Sequence, residues 1–378
     1  MNGISRLLPV ETPNPVERAF FDDPKAAVDR LIELYDRASQ YLLDRSLATL
    51  GGAPPQARYR AFYPEVRLTT SVHSQTDSRL SFGHVAVPGS YAATITRPDL
   101  FRDYLVQQIG LLIRNHEVPV SVGESDTPIP VHFAVATRSD LNVPQEGVLD
   151  YSLRDIFDVP DLVTMNDDIV NGIAQPGADG TRHLAPFTAQ RVDYSLARLS
   201  HYTATAPEHF QTFVLFTNYQ FYVDEFEAFA RRALADPASG YSAFVAPGDQ
   251  VLERPEDVLA TGAKTPQMPA YHLKRPDGQG ITLVNIGVGP SNAKTATDHI
   301  AVLRPHAWLM VGHCGGLRQT QIIGDYVLAH AYLRQDGILD ELVPPDIPIP
   351  ALAEEVNTHV CVASRHDVTC AQRFAGRK

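Results

Sequence analysis

The sequence predicts an α/β domain in the second half of the chain, preceded by an α+β domain. Residues 281–286 are rich in β-favouring side chains and lead into the turn Gly287-Val-Gly-Pro290. Apolar residues then recur at helical spacing over 293–303, after a predicted N-cap at Ser291. A second apolar run follows at 307–311. Buried strand, helix and buried strand make a βαβ unit, whose ligand sites lie at the carboxyl ends of its strands.

The composition is that of an ordinary globular protein. The chain has 378 residues, of which 44% are hydrophobic and 20% charged, and its formal net charge is −12. This charge disfavours a nucleic-acid surface, and no apolar run has membrane-spanning length, so neither nucleic acid nor a membrane is an expected partner. The N-terminus lacks the features of a signal peptide, and three cysteines are too few for a disulfide framework. We therefore expect a cytoplasmic protein.

An N-terminal α+β domain is expected over residues 1–180. Asp23 and Pro24 predict the start of a helix, with the aspartate as N-cap and the proline at the first helical position. A second, strongly amphipathic helix is predicted from Pro98 to about residue 115. Short strands are predicted at 65–71, 118–122 and 131–136. No catalytic constellation falls within these elements.

The second domain is expected over residues 185–356, after a turn-rich boundary at 176–180. Its predicted elements, in chain order, are a strand at 213–216, a helix at 224–234, a strand at 242–246, a loop or insertion at 247–269, the βαβ unit and a third strand at 326–329. The remaining residues, 357–378, form an atypical tail.

A glycine-rich turn carries the first group of candidate residues. The backbone at Gly287 and Gly289 can approach a sugar or a phosphate beside a helix N-terminus, and the Ser291 hydroxyl lies close by in sequence. Two glycines alone also fit a dinucleotide-binding turn. However, Asn292 stands at the third glycine position and Pro290 lacks a backbone donor, which disfavours that interpretation. Alternatively, these residues bind no ligand and only form a tight turn between a strand and a helix.

A second turn, Gly312–Gly316, carries the other group. It places His313 and Cys314 at the carboxyl end of a predicted strand. A hydrogen-bonded buried imidazole and a small buried thiol are the structural alternatives for these two residues. The nearest additional histidines, His299 and His306, do not complete a metal-binding set, so no metal is expected.

Longer stretches of the sequence resemble the AMP nucleosidase family. IGVGPSNAKT, RPHAWLMVGHCGGLR, GDYVLAHAYLR and PPDIPIPALAE are similar to its catalytic domain, and more distantly to the nucleoside phosphorylase superfamily. FTAQRVDYSLARLSHYTATAPEHFQTFVLFTNYQFYVDEF resembles the segment that opens that domain, and YPEVRLTT and RPDLFRDYLVQQ resemble the family's N-terminal domain. The likeness runs from about residue 24 to 356. It implies an α/β catalytic domain of the nucleoside-phosphorylase type, incomplete, behind a regulatory α+β domain.

The resemblance implies hydrolysis of AMP to adenine and ribose 5-phosphate, in which positive charge develops on the ribose and adenine leaves as a protonated base. It assigns substrate contacts to eight residues: His201, Asn218, Gly287, Gly289, Ser291, His313, Cys314 and Gly315. Of these, His201 matches a histidine that reaches the 5′ end of the sugar, often in a neighbouring subunit. Phosphorylases commonly have a small hydroxyl residue where His313 stands and Gly-Asp-Pro where Thr217-Asn218-Tyr219 stands. Both departures favour water over phosphate as the acceptor.

The 5′-phosphate of AMP needs cations or helix N-termini. Arg191, Arg198 and Lys294 are the candidate ligands, and the alternative for each is a solvated surface charge. The resemblance further implies ATP as an activator, phosphate as an inhibitor and a homo-oligomer, a hexamer in the family. It implies no cofactor.

Two family motifs are missing from the end of the chain: Met-Glu-Ser does not occur in the sequence, and no Ser-Asp pair follows residue 356, where the family has one. In the family their glutamate binds the ribose hydroxyls and their aspartate protonates the purine, so the catalytic residues stay unassigned. Asp298 and Asp325 are expected to be structural. We expect the 357–378 tail to be a truncated or frameshifted end that impairs activity. The alternatives are a non-catalytic nucleotide-binding or regulatory protein, and a nucleosidase or phosphorylase of unphosphorylated purine nucleosides.

Overall fold

The computed structural model describes residues 8–73, 83–136, 152–259, 266–325, 331–333, 340 and 343–350. The described residues up to 202, together with 206–208 and 299–304, form one compact unit, here called unit 1. The remaining described residues, 203–205, 209–298 and those from 305 onward, form unit 2. The predicted third strand at 326–329 and the 357–378 tail lie outside the described residues. Among the described helices, none is long and apolar enough to span a membrane.

Unit 1 contains a five-stranded sheet. The described strands of unit 1, in chain order, are β1 (Val10–Glu11), β2 (Ala19–Phe21), β3 (Arg58–Tyr59), β4 (Phe62–Thr70), β5 (Gly89–Thr94), β6 (Val120–Pro128) and β7 (Arg182–His183). The sheet has the order β2-β6-β4-β5-β7, while β1 and β3 pair separately. Neighbouring strands of the sheet are antiparallel except for the parallel pair β5 and β7.

Unit 1 also contains five described helices, two of which pack against this sheet. They are α1 (Pro24–Leu50), α2 (Arg102–His116), α3 (Val131–Ala136), α4 (Leu153–Ile156) and α5 (Ala189–Thr203), of which α5 belongs to unit 1 through Tyr202. As predicted, Asp23 caps α1, because its carboxylate accepts hydrogen bonds from the Lys25 and Ala26 amides. Leu31 of α1 and Ile109 of α2 are 0% and 1% exposed, in one cluster with Val66 and Val120 of the sheet. The α+β architecture expected for this part of the chain is confirmed.

Two predicted elements of unit 1 differ from the structure. Residues 131–136 were expected as a strand and form α3 instead, where Val131 and Ala134 are both buried. A spacing of three places these two side chains on one helical face, so period rather than β-branching decides the conformation. The helix expected from Pro98 begins at Arg102, since the preceding turn closes through a bond from the Phe101 amide to the Arg97 carbonyl.

Unit 2 is built on a six-stranded mixed sheet. Its strands are β8 (Phe213–Thr217), β9 (Ala243–Ala246), β10 (Gln250–Leu252), β11 (Ala270–Lys274), β12 (Ile281–Asn285) and β13 (Ala307–Met310), in the order β10-β9-β11-β12-β8-β13. Strands β12, β8 and β13 are parallel, and the other pairs are antiparallel. The helices are α6 (Gln220–Ala235) and α7 (Pro290–Ile300), and a short pair, β14 (Ala331–Tyr332) and β15 (Ile349–Pro350), stands apart.

The predicted βαβ unit is present, but its two strands are not neighbours. Strand β8, which comes earlier in the chain, lies between β12 and β13. Strand β13 was expected to be buried and is instead exposed: Trp308 and Met310 are 42% and 50% accessible. Among the described residues it occupies the edge of the sheet and pairs only with β8. The expected loop at 247–269 contains β10, and β11 was not predicted.

A buried carboxylate lies at the centre of unit 1. Asp193 of α5 accepts hydrogen bonds from the Tyr63 hydroxyl at 2.6 Å and the Thr96 hydroxyl at 2.7 Å. Burial raises the pKa of Asp193 from its usual 3.8 to about 6, although the two hydrogen bonds and the nearby Arg97 act in the opposite direction. The folded protein therefore holds this proton to a higher pH than the unfolded chain does.

This difference in pKa predicts a pH-dependent effect of Asp193→Asn. As pH rises from about 4 to 6, the unfolded chain loses the Asp193 proton first, so the native aspartate reduces the free energy of unfolding by up to about 3 kcal/mol. The asparagine variant lacks this loss. Its stability relative to the native chain should rise between pH 4 and 7 in urea unfolding experiments.

Asp158→Asn is the matched control. Arg60 and Arg58 lower the pKa of Asp158, so its contribution is present above its usual pKa and is lost as the pH falls through the lower, folded-state value. The difference in free energy of unfolding between Asp158→Asn and the native chain should be nearly constant from pH 5 to 7. If the same difference for Asp193→Asn were constant over that range, it would contradict the raised pKa of Asp193.

Candidate active site

The candidate site lies at the carboxyl ends of three parallel strands in unit 2. Asn285 of β12 is in register with Thr217 of β8, and Met310 of β13 with Phe216. The Ile286 amide donates to the Thr217 carbonyl at 2.8 Å, and the Val311 amide donates to the Phe216 carbonyl at 2.8 Å. The three chains therefore leave the sheet at one level, which is where α/β sheets bind ligands.

The turn after β12 requires its two glycines. Gly287 and Gly289 have φ values of +66° and +112°, which side chains disfavour. The Gly287 amide donates to the Asn285 side-chain oxygen at 3.1 Å, which fixes the first half of the turn. A Cβ atom at Gly289 would meet no heavy atom within 4 Å, so its backbone faces open space that a ligand can enter.

Helix α7 begins directly after this turn. The Ala293 amide donates to the Gly289 carbonyl at 3.3 Å, so the helix starts at Pro290 and not after Ser291. Ser291 was predicted as the N-cap; it lies in the first turn and is exposed. Proline suits the first position because its φ is already helical and its missing amide proton is not needed there.

The loop after β8 contributes Asn218. Its side-chain oxygen is buried and has no hydrogen-bond partner within the described parts of the chain. A Cβ atom at Gly312, in the turn after β13, would lie 3.8 Å from this oxygen, so the two loops are in contact. A buried acceptor without a partner is uncommon in folded proteins and suits a ligand that donates a hydrogen bond.

Aromatic side chains position His313. The centroid of its ring lies 4.4 Å from that of Tyr219 and 5.4 Å from that of Tyr222, both at the start of α6. The imidazole therefore packs against two rings, although the residue is exposed. Cys314 and Gly315 are exposed as well, and Cys314 is a free thiol. The alternatives of a buried imidazole at His313 and a buried thiol at Cys314 are therefore wrong.

The three candidate phosphate ligands differ in their partners. Arg191 is buried in unit 1, where its Nε donates to Asp167 at 2.8 Å and its guanidinium also contacts Ser195. A phosphate would have to compete with Asp167 for this cation. Arg198 donates to the Tyr202 hydroxyl and stacks over that ring at 4.4 Å. Lys294 of α7 forms an exposed ion pair with Asp298.

Unit membership separates the predicted residues into two groups. Asn218, Gly287, Gly289, Ser291, Lys294, His313, Cys314 and Gly315 belong to unit 2, whereas Arg191, Arg198 and His201 belong to unit 1. His201 is exposed, with its ring centroid 5.4 Å from that of Tyr202. The residues of the three unit 2 loops lie at the same carboxyl edge of the sheet. That the unit 1 residues belong to the same site stays a prediction.

His299 and His306, the two histidines considered as additional metal ligands, make contacts elsewhere. His299 is buried, and its Nδ1 is hydrogen-bonded to the Ser195 hydroxyl at 3.1 Å. The His306 amide donates to the Thr212 carbonyl at 2.8 Å, at the opposite end of β13 from His313.

Comparisons with known proteins bear on the identity of this site. Residues 26–181 match the family model "Bacterial AMP nucleoside phosphorylase N-terminus", and residues 245–370 match "Phosphorylase superfamily". The chain is 46% identical over 342 residues to the AMP nucleosidase of Escherichia coli strain K12, covering 88% of this chain and 70% of the relative. The same values hold for the AMP nucleosidase of Escherichia coli O157:H7. The chain belongs to the AMP nucleosidase family.

Two further observations qualify the extent of this likeness. The superfamily match reaches residue 370 and so enters the tail at 357–378, where the resemblance was expected to have ended. A solved AMP nucleosidase from Bacteroides thetaiotaomicron VPI-5482 is 22% identical, with a TM-score of 0.36, over 48% of this chain and 65% of that chain. That structural overlap is too limited to support an argument about the site.

Three residues of the candidate site were not predicted from the sequence of this AMP nucleosidase family member. Asn285 fixes the glycine turn, and Tyr219 and Tyr222 support His313. The signal for Asn285 was present in the sequence, since it is the polar residue that ends an apolar strand. The contact between the tyrosines and His313 depends on the adjacency of β8 and β13, which local sequence does not encode.

Asn218 and Asn285 should respond oppositely to replacement by leucine. Asn218→Leu removes a buried acceptor without a partner, so stability should stay the same or rise by up to about 1 kcal/mol. Asn285→Leu removes the acceptor of the Gly287 amide and should lower stability by about 1–2 kcal/mol. Urea unfolding of both variants measures the difference. Equal destabilisation would show that the Asn218 oxygen is paired in solution.

Proposed function

We propose that this chain hydrolyses the N-glycosidic bond of AMP, releasing adenine and ribose 5-phosphate. The observation that carries the proposal is the 46% identity, over 342 residues, to an AMP nucleosidase. The carboxyl-edge site supports it with chemistry suited to a nucleotide: an open glycine turn at a helix N-terminus, a buried amide oxygen and a cluster of aromatic rings.

Each feature of the edge has a role in this proposal. The amide oxygen of Asn218 accepts a hydrogen bond from a ribose hydroxyl, and its negative end stabilises the positive charge that develops on the sugar. The open backbone at Gly289 allows the ribose to approach the sheet. The N-terminus of α7 favours the 5′-phosphate, assisted by Lys294. The rings around His313 provide a face for adenine.

The proposal extends to the other expected partners. The proposal assigns Arg191, Arg198 and His201 to the 5′ end of the nucleotide, where Arg191 exchanges its partner Asp167 for the phosphate and His201 is supplied by a neighbouring copy in a homo-oligomer, a hexamer. ATP and phosphate act as effectors of the N-terminal unit, whose residues 26–181 match an N-terminal family model. The exposed free thiol of Cys314 is compatible with the reducing cytoplasm we propose as its location.

A product assay tests the reaction. Purified chain is incubated with AMP in H₂¹⁸O, and the products are separated by chromatography and weighed by mass spectrometry. We expect adenine and ribose 5-phosphate that carries the label at C1, because the glycosidic bond breaks and a water oxygen adds there. Ribose 1,5-bisphosphate in the presence of inorganic phosphate would contradict hydrolysis.

The same assay separates the alternatives. AMP binding without turnover would contradict the proposed hydrolysis and favour a nucleotide-binding protein without catalytic activity. Ribose 1-phosphate formed from adenosine and phosphate would favour a phosphorylase of unphosphorylated nucleosides.

His313→Ala tests whether the second turn contacts substrate. Loss of one contact to the nucleotide should lower kcat/KM for AMP by roughly 10- to 100-fold. His306→Ala is the matched control, because His306 is an exposed histidine at the opposite end of the same strand. This control should stay within about twofold of the native chain. Equal values for the two variants would remove His313 from the proposed site.

A further inference from the structure

Unit 1 contains a cavity of about 260 Å³. One wall is the sheet, with Val66 and Ala93, and another is α2, with Leu105 and Ile109. Phe101 and Phe187 contribute aromatic surface. The cavity is therefore mainly apolar, as most small-molecule sites are.

Arg304 is the one arginine among the described residues that line this cavity. The Arg304 guanidinium lies 3.9 Å above the centroid of the Tyr104 ring, and both residues line the cavity. Burial lowers the pKa of Arg304. Within the described residues its guanidinium forms no ion pair and no side-chain hydrogen bond. An arginine stays charged even when enclosed, so this cation lacks the counter-ion that buried charges ordinarily have.

Each of the two threonine hydroxyls that line the cavity already forms one hydrogen bond. Thr94 accepts a hydrogen bond from the Ala189 amide at 3.0 Å, and Thr96 donates to Asp193 at 2.7 Å. The Gln108 amide also lines the cavity. It has no hydrogen-bond partner among the described residues and can therefore take part in binding. The free polar groups thus suit one anionic group.

We propose that this cavity binds a small aromatic monocarboxylate. The carboxylate pairs with Arg304, as the fork of guanidinium donors favours, and the ring packs among Phe101, Phe187 and Leu105. A cavity of about 150 Å³ already holds benzene, whereas drug-sized ligands need at least about 300 Å³. One ring with a short acidic substituent fits this range. A nucleoside triphosphate is too large and too highly charged for one arginine.

Benzoate and its uncharged analogue benzamide test the proposal on the intact native chain. Isothermal titration should give one benzoate per chain, with a dissociation constant on the order of 0.1–1 mM for a ligand of this size. Benzamide should bind at least about tenfold more weakly, because it cannot form the ion pair. Equal binding of the two, or no saturable binding of benzoate, would overturn the proposal without any variant.

Two variants then locate the site. Arg304→Gln should weaken benzoate binding at least about tenfold, and Ala93→Leu should abolish it by filling the cavity while keeping the charge. Arg102→Gln is the control, because Arg102 lies on α2 and pairs with Asp29 outside the cavity lining. Unchanged benzoate affinity in a folded Arg304→Gln or Ala93→Leu variant would refute the assignment. A parallel loss of ATP binding in Arg304→Gln would assign the arginine to a nucleotide site instead.

Discussion

The parallel pairing of β12, β8 and β13 is the constraint on which the candidate site depends. Parallel neighbours end at the same edge of a sheet, so three loops that are distant in sequence meet there. The chain must then cross over between β12 and β13, and α7 makes that crossing. The turn between β12 and α7 has to reverse direction within a few residues, which explains the positive φ values of Gly287 and Gly289.

Local sequence was sufficient to locate several of the elements but not their adjacency. Runs of β-favouring residues located β8 and β12, and the pair Asp23-Pro24 located the start of α1, since these signals act within a few residues. Strand β13 was located but not its place beside β8 or its exposure, because pairing partners are chosen over long sequence distances. Strand β11 was missed altogether. Residues 131–136 were predicted as a strand because they include β-branched side chains, and they form α3 instead.

The candidate site could be predicted in type more readily than in geometry. Glycine turns after strands identify the carboxyl edge from sequence alone, and His313 and Asn218 were assigned by resemblance. The partners of Arg191 could not be predicted, because Asp167 lies 24 residues away and reaches the arginine through the tertiary fold. The sequence shows that an arginine or a lysine is present. Only the fold determines whether a carboxylate already neutralises its charge.

Arg191 and Arg304 illustrate why the state of pairing decides between structural and binding roles. Both are enclosed arginines of unit 1, and both lie near an aromatic ring. Arg191 has a carboxylate at 2.8 Å, so a ligand anion gains only by displacing it. Arg304 has no such partner among the described residues, so an anion that enters its cavity relieves the cost of an isolated charge. Asn218 presents the complementary case at the carboxyl edge, where a buried acceptor favours a ligand that donates a hydrogen bond. The chemistry left unpaired by folding thus indicates an anion in unit 1 and a hydroxyl-bearing ligand in unit 2.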